Sequence, residues 1–178
     1  LPELLARGHD LRNMDSGEPL APRVSQVTSA NAYIGARPVA EALAGGALIV
    51  LCGRVTDTAL ALGPLVHEFG WAADDWNRLA QGLTVGHLLE CSGQGSGGNF
   101  NSYLGNGWES VPDLGHIGYP IAEVSPDGTA ILTKAPGTGG RVDFDTVRQQ
   151  LLYEVHNPHA YFSPDVVLDM GTLRLEDL

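Results

Sequence analysis

The side chains best suited to chemistry fall in two stretches. One is the turn Cys52, Gly53, Arg54, Thr56, Asp57 inside ALIVLCGRVTDTALALGPLVHEF, residues 47–69. The other is TVGHLLECSGQGSGGNF, with His87, Glu90 and Cys91 ahead of a glycine-dense run from Gly93 to Gly98. A carboxylate or imidazole held in a dry crevice has its pKa moved toward neutrality, so Asp57, Glu90, His87 and the pair His67-Glu68 are candidate proton carriers. His67 and Glu68 come late on their helix and face solvent or a neighbouring element. Cys52 and Cys91 occupy acceptable positions for a reactive thiol, although free cysteines are mostly buried and inert. No G-x-S-x-G elbow is present. His87 and Cys91 lie four residues apart with Glu90 between. Zinc would need a third and usually a fourth ligand, and no Cys-x-x-Cys or His-Glu-x-x-His spacing supplies one, so no metal is expected.

Two glycine-rich loops, Gly93 to Gly98 and Gly137 to Gly140, have the composition of phosphate cradles or of plain surface loops. Neither fits a phosphate-loop signature, because Lys134 precedes its glycines and no G-K-S/T occurs; the dinucleotide fingerprint is absent as well. What survives is that Lys134, the amides of Gly137 to Gly140 and Arg141 can hold an anionic group at a helix start.

The elements that must position these groups are legible from periodicity. Leu48 to Leu51 is short, apolar and β-branched, which predicts a fully buried strand. A helix follows it, capped by Asp57, with Leu60, Leu62, Leu65, Val66 and Phe69 on its apolar face and Gly70 as its stop. Upstream, Val24 to Thr28 predicts a strand, and the loop Ser29 to Ala36 leads into a helix through Val39, Ala40 and Leu43 that stops at Gly45-Gly46. Strand, helix, strand, helix is the rhythm of a parallel βαβα unit. Parallel neighbours end on one edge, which would open Asn31, Tyr33, Arg54 and Asp57 on the same side, where α/β sheets bind ligands. The turn is equally readable as a plain connection, with Arg54 and Asp57 a local ion pair.

WAADDWNRLAQG predicts a further helix with Trp71, Trp76 and Leu79 inward, and a strand or short helix runs to Cys91. Residues 101–118 are irregular. Ile121 to Val124 and Thr129 to Thr133 flank SPDG, a β-hairpin pattern. Asp143 or Asp145 caps a helix running to Val155, and Val166 to Asp169 returns as extended chain. Pro2 to Arg7 is a short helix stopped by Gly8, which reads as the tail of a helix and leads to the expectation of a domain whose first part is missing or is another polypeptide. The expected fold class is therefore α/β: a parallel βαβα core with a small antiparallel hairpin region, part of a larger three-layer domain. Residues 1–178 form a single α/β domain or a fragment of one, with the core and glycine-rich loop at about 24–100 and the hairpin, helix and returning strand at about 119–178.

The 178 residues carry 10 basic and 21 acidic side chains, a net charge of −11, which argues against nucleic acid or an anionic membrane surface as partner. Two cysteines make no disulfide framework, so reduced thiols in a cytoplasm are the expectation. No apolar run reaches the roughly 18 residues of a membrane span, and no secretory signal is read.

In order, SANAYIGARPVAEAL, GRVTDTALALGPLVHEFGW, GHLLECSGQGSGGNF, GYPIAEV, TKAPGTGGRV and QLLYEVHNPHAYFSPDVV resemble the acyclic terpene utilisation protein A family, from about Asn31 to Asp169. The resemblance implies an α/β protein tied to catabolism of acyclic terpenoids and related branched acids as their CoA thioesters. It also implies an amino-terminal section that these residues lack. It nominates Asn31, Tyr33, Arg54, Asp57, His87, Glu90, Cys91, Gly97, Gly98, Asn99 and Lys134. The roles expected are Asp57, Glu90 and His87 moving a proton, and Asn31, Tyr33, Arg54, Gly97, Gly98, Asn99 and Lys134 binding ligand. The chemistry expected is that of a lyase or hydratase beside a thioester carbonyl. No cofactor is expected beyond a coenzyme A thioester as substrate. The expected partner is a small acyl-CoA or carboxylate, in a homo-oligomer or with a second chain supplying the missing section. Two other readings stand beside this one: a non-catalytic binding or scaffold subunit, and a tailoring protein of polyketide or terpenoid biosynthesis.

Overall fold

The computed structural model describes residues 1–101 and 107–178, so part of the segment read as irregular, 102–106, lies outside the described residues. The chain divides into two compact units, Leu1–Ala32 and Tyr33–Leu178. The first opens with helix α1 (Pro2–Ala6), which carries proline at its start and ends at Arg7 and Gly8, as the glycine stop predicts. Val24 to Thr28 is not the expected strand: Ala21–Gln26 forms a 3-10 helix with Pro22 near its start. Proline fixes φ near the helical value in the first turn, and that local preference outweighs a weak alternation.

Among its described residues the second unit holds four α-helices, α2 (Arg37–Ala44), α3 (Ala59–Phe69), α4 (Trp76–Leu89) and α5 (Phe144–Leu152). It also holds two antiparallel pairs: β1 (Pro120–Val124) with β2 (Ala130–Lys134), and β3 (Tyr161–Phe162) with β4 (Val167–Leu168). The content is thus mixed helix and strand with small antiparallel sheets. The expected parallel core is reduced to one bridge, Ile34 with Val55, across α2. Leu48 to Leu51 lies outside any strand, with Leu48, Ile49 and Leu51 exposed at 99%, 87% and 97%. Its apolar pattern reads as a buried strand because burial was inferred from composition, yet no described strand stands beside it to take its backbone bonds.

The core is instead helix on helix. Ala59 and Leu62 of α3 and Leu83 of α4 are fully buried and join Trp71, Leu79 and Leu88, with Val147 and Leu151 of α5 and Leu168 of β4. The axes approach closely at Gly86, where a Cβ would stand 2.6 Å from the Thr58 carbonyl oxygen. Pro64 inside α3 cannot donate to the Leu60 carbonyl, and Leu60 is exposed, so water can take that acceptor. Gly70 ends α3 at φ 62°, a left-handed stop that costs glycine nothing. The residue at the N-cap is Thr58 rather than Asp57, and no side chain caps there, so Asp57 is left free of the role expected for it.

α4 runs further than its first half predicts, through Thr84 and Val85 to Leu89, because that segment is buried almost throughout. Trp71 and Leu79 face the interior as expected, whereas Trp76 is 58% exposed. Asp143 caps α5 in a reciprocal box with Thr146: the Thr146 amide donates to Asp143 Oδ1 at 3.0 Å and Asp143 N donates to Thr146 Oγ1 at 3.1 Å.

Candidate functional site

The final turn of α4 and strand β3 bring His87 and Glu90 to a tyrosine that sequence reasoning did not single out, and Asp57, exposed ahead of α3, acts on that tyrosine through its charge. His87 is 3% exposed, its ring lies 5.4 Å from that of Tyr161 at a 50° tilt, and its Nε2 has no hydrogen-bond partner. A buried imidazole nitrogen without a partner costs on the order of 1–3 kcal/mol, so its retention asks for a reason other than packing. The backbone oxygen of His87 is satisfied, accepting from Gln150 Nε2 at 2.9 Å.

Burial raises the pKa of Tyr161, and the negative charges of Glu90, Asp57 and Glu154 raise it further. The phenol is therefore held protonated and stands within electrostatic reach of all three carboxylates. Glu90 caps the carboxyl end of α4, where a negative charge opposes the helix dipole, so helix stability does not explain it. It accepts from the Cys91 thiol at 2.9 Å. Burial, that bond and the charges of Glu90 and Glu154 push Cys91 up to about 11, which makes it a donor holding the carboxylate rather than a nucleophile. Two non-glycine residues adopt positive φ beside this group, Ser92 at 53° and Glu154 at 57°. Each costs on the order of 1 kcal/mol, and such strain collects at working sites.

Tyr33 and Arg54 also meet. Around the Ile34–Val55 bridge, Thr56 N donates to the Ile34 carbonyl at 2.9 Å, and the Arg54 guanidinium lies 5.5 Å over the Tyr33 ring. Arg54 makes no ion pair with Asp57; its charge rests on an aromatic face and is exposed. Asn31 belongs to the first unit.

The other nominated binders stand in protein contacts. Lys134 Nζ donates to the Thr138 carbonyl at 2.6 Å, and Arg141 pairs with Asp143 at 2.8 Å while covering Phe100 at 4.7 Å. The glycine run is neither an open cradle nor a surface loop: Ser92–Ser96 is a 3-10 helix, with Gly95, Ser96 and Gly97 buried. A Cβ at Gly97 would meet Val111 and Thr146, and one at Gly98 would stand 2.9 Å from the Gly93 oxygen. The gap beside Gly97 and Asn99 is about 10 Å³, room for roughly one water. Gln149 Nε2 donates to the Asn99 carbonyl at 2.7 Å.

Tyr161 and Glu154 were missed because neither sits in a spacing that signals chemistry. The only sequence sign was that HNPHAYFSPDVV and QLLYEV fall in blocks resembling a family. No helix among the described residues is long and apolar enough to cross a membrane. No curated protein and no solved structure matches the chain. The family model described as acyclic terpene utilisation family protein AtuA matches residues 1–178, the whole of the sequence, and the chain belongs to that family.

Proposed function

We propose that this chain is an enzyme of branched or isoprenoid acyl-CoA metabolism, of the lyase or hydratase type. The observation that carries the reading is the protonated Tyr161 beside the buried His87 imidazole, with Asp57, Glu90 and Glu154 around it. A carboxylate can take the proton next to a thioester carbonyl, and a protonated phenol can donate to the oxygen that gains charge. Cys91 holds Glu90 and does not attack. Of the two nominated cations, Arg54, exposed on Tyr33, is the one available to an anionic part of the substrate, since Lys134 is bound within its own loop.

Tyr161→Phe, Glu90→Gln and Arg54→Ala test this against a panel of branched acyl-CoA thioesters, with products read by mass spectrometry. Tyr161→Phe and Glu90→Gln are expected to lower kcat by about 10²–10⁴-fold with the fold intact. Arg54→Ala is expected to raise KM more than it lowers kcat. Unchanged turnover in all three variants of an active preparation refutes the assignment.

A second reading, a non-catalytic subunit that completes a partner, is favoured by the near-total exposure of Leu48, Ile49 and Leu51. An uncovered apolar run of this kind marks an interaction surface. Under this reading the purified chain turns over no thioester, and Ile49→Asp abolishes association measured by light scattering.

A further inference from the structure

A groove of about 650 Å³ lies away from the residues used above, lined by Ala36 at the N-cap of α2 and Ala40 and Ala44 within it, at one-turn spacing, together with Trp71, Trp76 and Asp165. That volume suits a small organic molecule, and the walls are apolar with few polar groups, the usual character of a ligand pocket. The alanines leave the space that larger side chains would fill. Trp76 offers an exposed indole at the first turn of α4. Trp71 is anchored, its indole N–H donating to the Pro126 carbonyl at 2.9 Å.

The charges at the groove do not balance. Arg37 and Glu41 pair with each other at 2.7 Å, and His67 is the other titratable group on the lining. Asp165 has no cationic partner. Its Oδ1 accepts from the Ala36 amide at 2.8 Å, while its buried Oδ2 has no hydrogen-bond partner. Burial raises its pKa, the expected response of a carboxylate that lacks a counter-charge.

We propose that this groove binds an organic ammonium carrying an apolar tail, the ammonium at Asp165 and Trp76 and the tail along the alanines of α2. An uncompensated carboxylate beside indole faces favours a cation twice over, by charge and by the ring quadrupole. A carboxylate ligand would meet like charge there, and an alcohol would satisfy the acceptor without the charge. The competing explanation is that Asp165 serves only to hold the start of α2 through the Ala36 amide. Asp165→Asn separates the two, because it keeps the Oδ1 acceptor and removes the charge.

The probes are hexylammonium, hexan-1-ol and hexanoate, three heads on one tail, titrated by calorimetry and tryptophan fluorescence. Hexylammonium is expected to bind about tenfold tighter than hexan-1-ol, with hexanoate weakest. Asp165→Asn is expected to erase the ammonium preference with the thermal transition no lower, and Trp76→Ala to weaken hexylammonium about threefold or more. Equal binding of the three probes, hexanoate binding tightest, no hexylammonium binding at about 10 mM, or a preference that survives Asp165→Asn overturns the proposal. The wild-type series alone decides the matter should Asp165→Asn fail to fold, and none of these readouts depends on thioester turnover.

Discussion

Gly86→Ala tests the close approach of α4 to Thr58 at the start of α3. The new Cβ would stand 2.6 Å from the Thr58 carbonyl oxygen and 2.9 Å from Thr58 Cα, both backbone atoms that no rotamer change can move. Ordinary van der Waals contact begins at 3.4 Å, so relieving the 2.6 Å approach to the Thr58 oxygen parts the helices by roughly 0.8 Å. Overpacking of this kind costs about 1–3 kcal/mol, while replacing glycine by alanine in a helix returns about 1 kcal/mol. The obstacle is rigid, so the net expectation is a loss of about 1–2 kcal/mol. Urea unfolding followed by circular dichroism should show the midpoint falling by roughly 0.5–1 M with the slope unchanged. Gly86 precedes His87 and Thr58 follows Asp57, so the same displacement should lower turnover beyond what stability accounts for. Gly53→Ala, where no atom lies within 4 Å, is the control and should stay within about 0.5 kcal/mol of wild type. Gly86→Ala as stable as wild type would refute the close approach.

Gln150 is 2% exposed and donates to the His87 carbonyl, one of the last carbonyls of α4 and so without a helical partner. Gln150→Met should cost about 1–3 kcal/mol in thermal or urea unfolding, and no loss would mean that water replaces the bond. Cys91 is pushed up to about 11 from 9.0, so in a Cys52→Ser background its alkylation at pH 8 should run on the order of a hundredfold slower than an unperturbed thiol. Glu90→Gln should quicken it, since the negative charge is lost and the amide oxygen that remains is a weaker acceptor; an unchanged rate would show that the charge of Glu90 does not act on the thiol. Burial raises Asp165 above its usual value of 3.8, so the folded chain binds that proton more tightly than the unfolded chain. Its favourable contribution is complete below pH 3.8 and is lost as pH rises through the folded value, leaving a penalty at neutrality. Asp165→Asn should therefore be at least as stable as wild type at pH 7, with the difference shrinking toward pH 4 on thermal melts; a difference that grows on acidification would contradict the buried-charge account.

Local chemistry was legible wherever one residue decides the outcome. Gly70 and the pair Gly45-Gly46 stop α3 and α2, Asp143 caps α5, and SPDG turns the β1–β2 hairpin, each for reasons contained within a few residues. Failures arose where a partner distant in sequence had the deciding vote. Leu48 to Leu51 has the apolar pattern of a buried strand, yet a strand exists only when another supplies its backbone bonds, and of the expected βαβα segment Ile34 and Val55 are the described residues that pair. The glycines from Gly93 to Gly98 carry a composition shared by ligand loops and tight packing, and the nearness of Gly93, Ile117 and Val111 decided for packing.

The same division runs through the candidate site. By itself the sequence determined α2, α3, α5 and the hairpin and nominated Asp57, His87 and Glu90, because amphipathic period, capping and side-chain acidity are local properties. Only the tertiary structure decided that Tyr161 lies against His87 and feels the charges of Glu90, Asp57 and Glu154, that Cys91 holds Glu90 as a protonated thiol, and that Lys134 is bound within its own loop. Those outcomes depend on burial and on distances between residues far apart in the chain, and neither is set until α4, α5 and the β3–β4 pair close on one another.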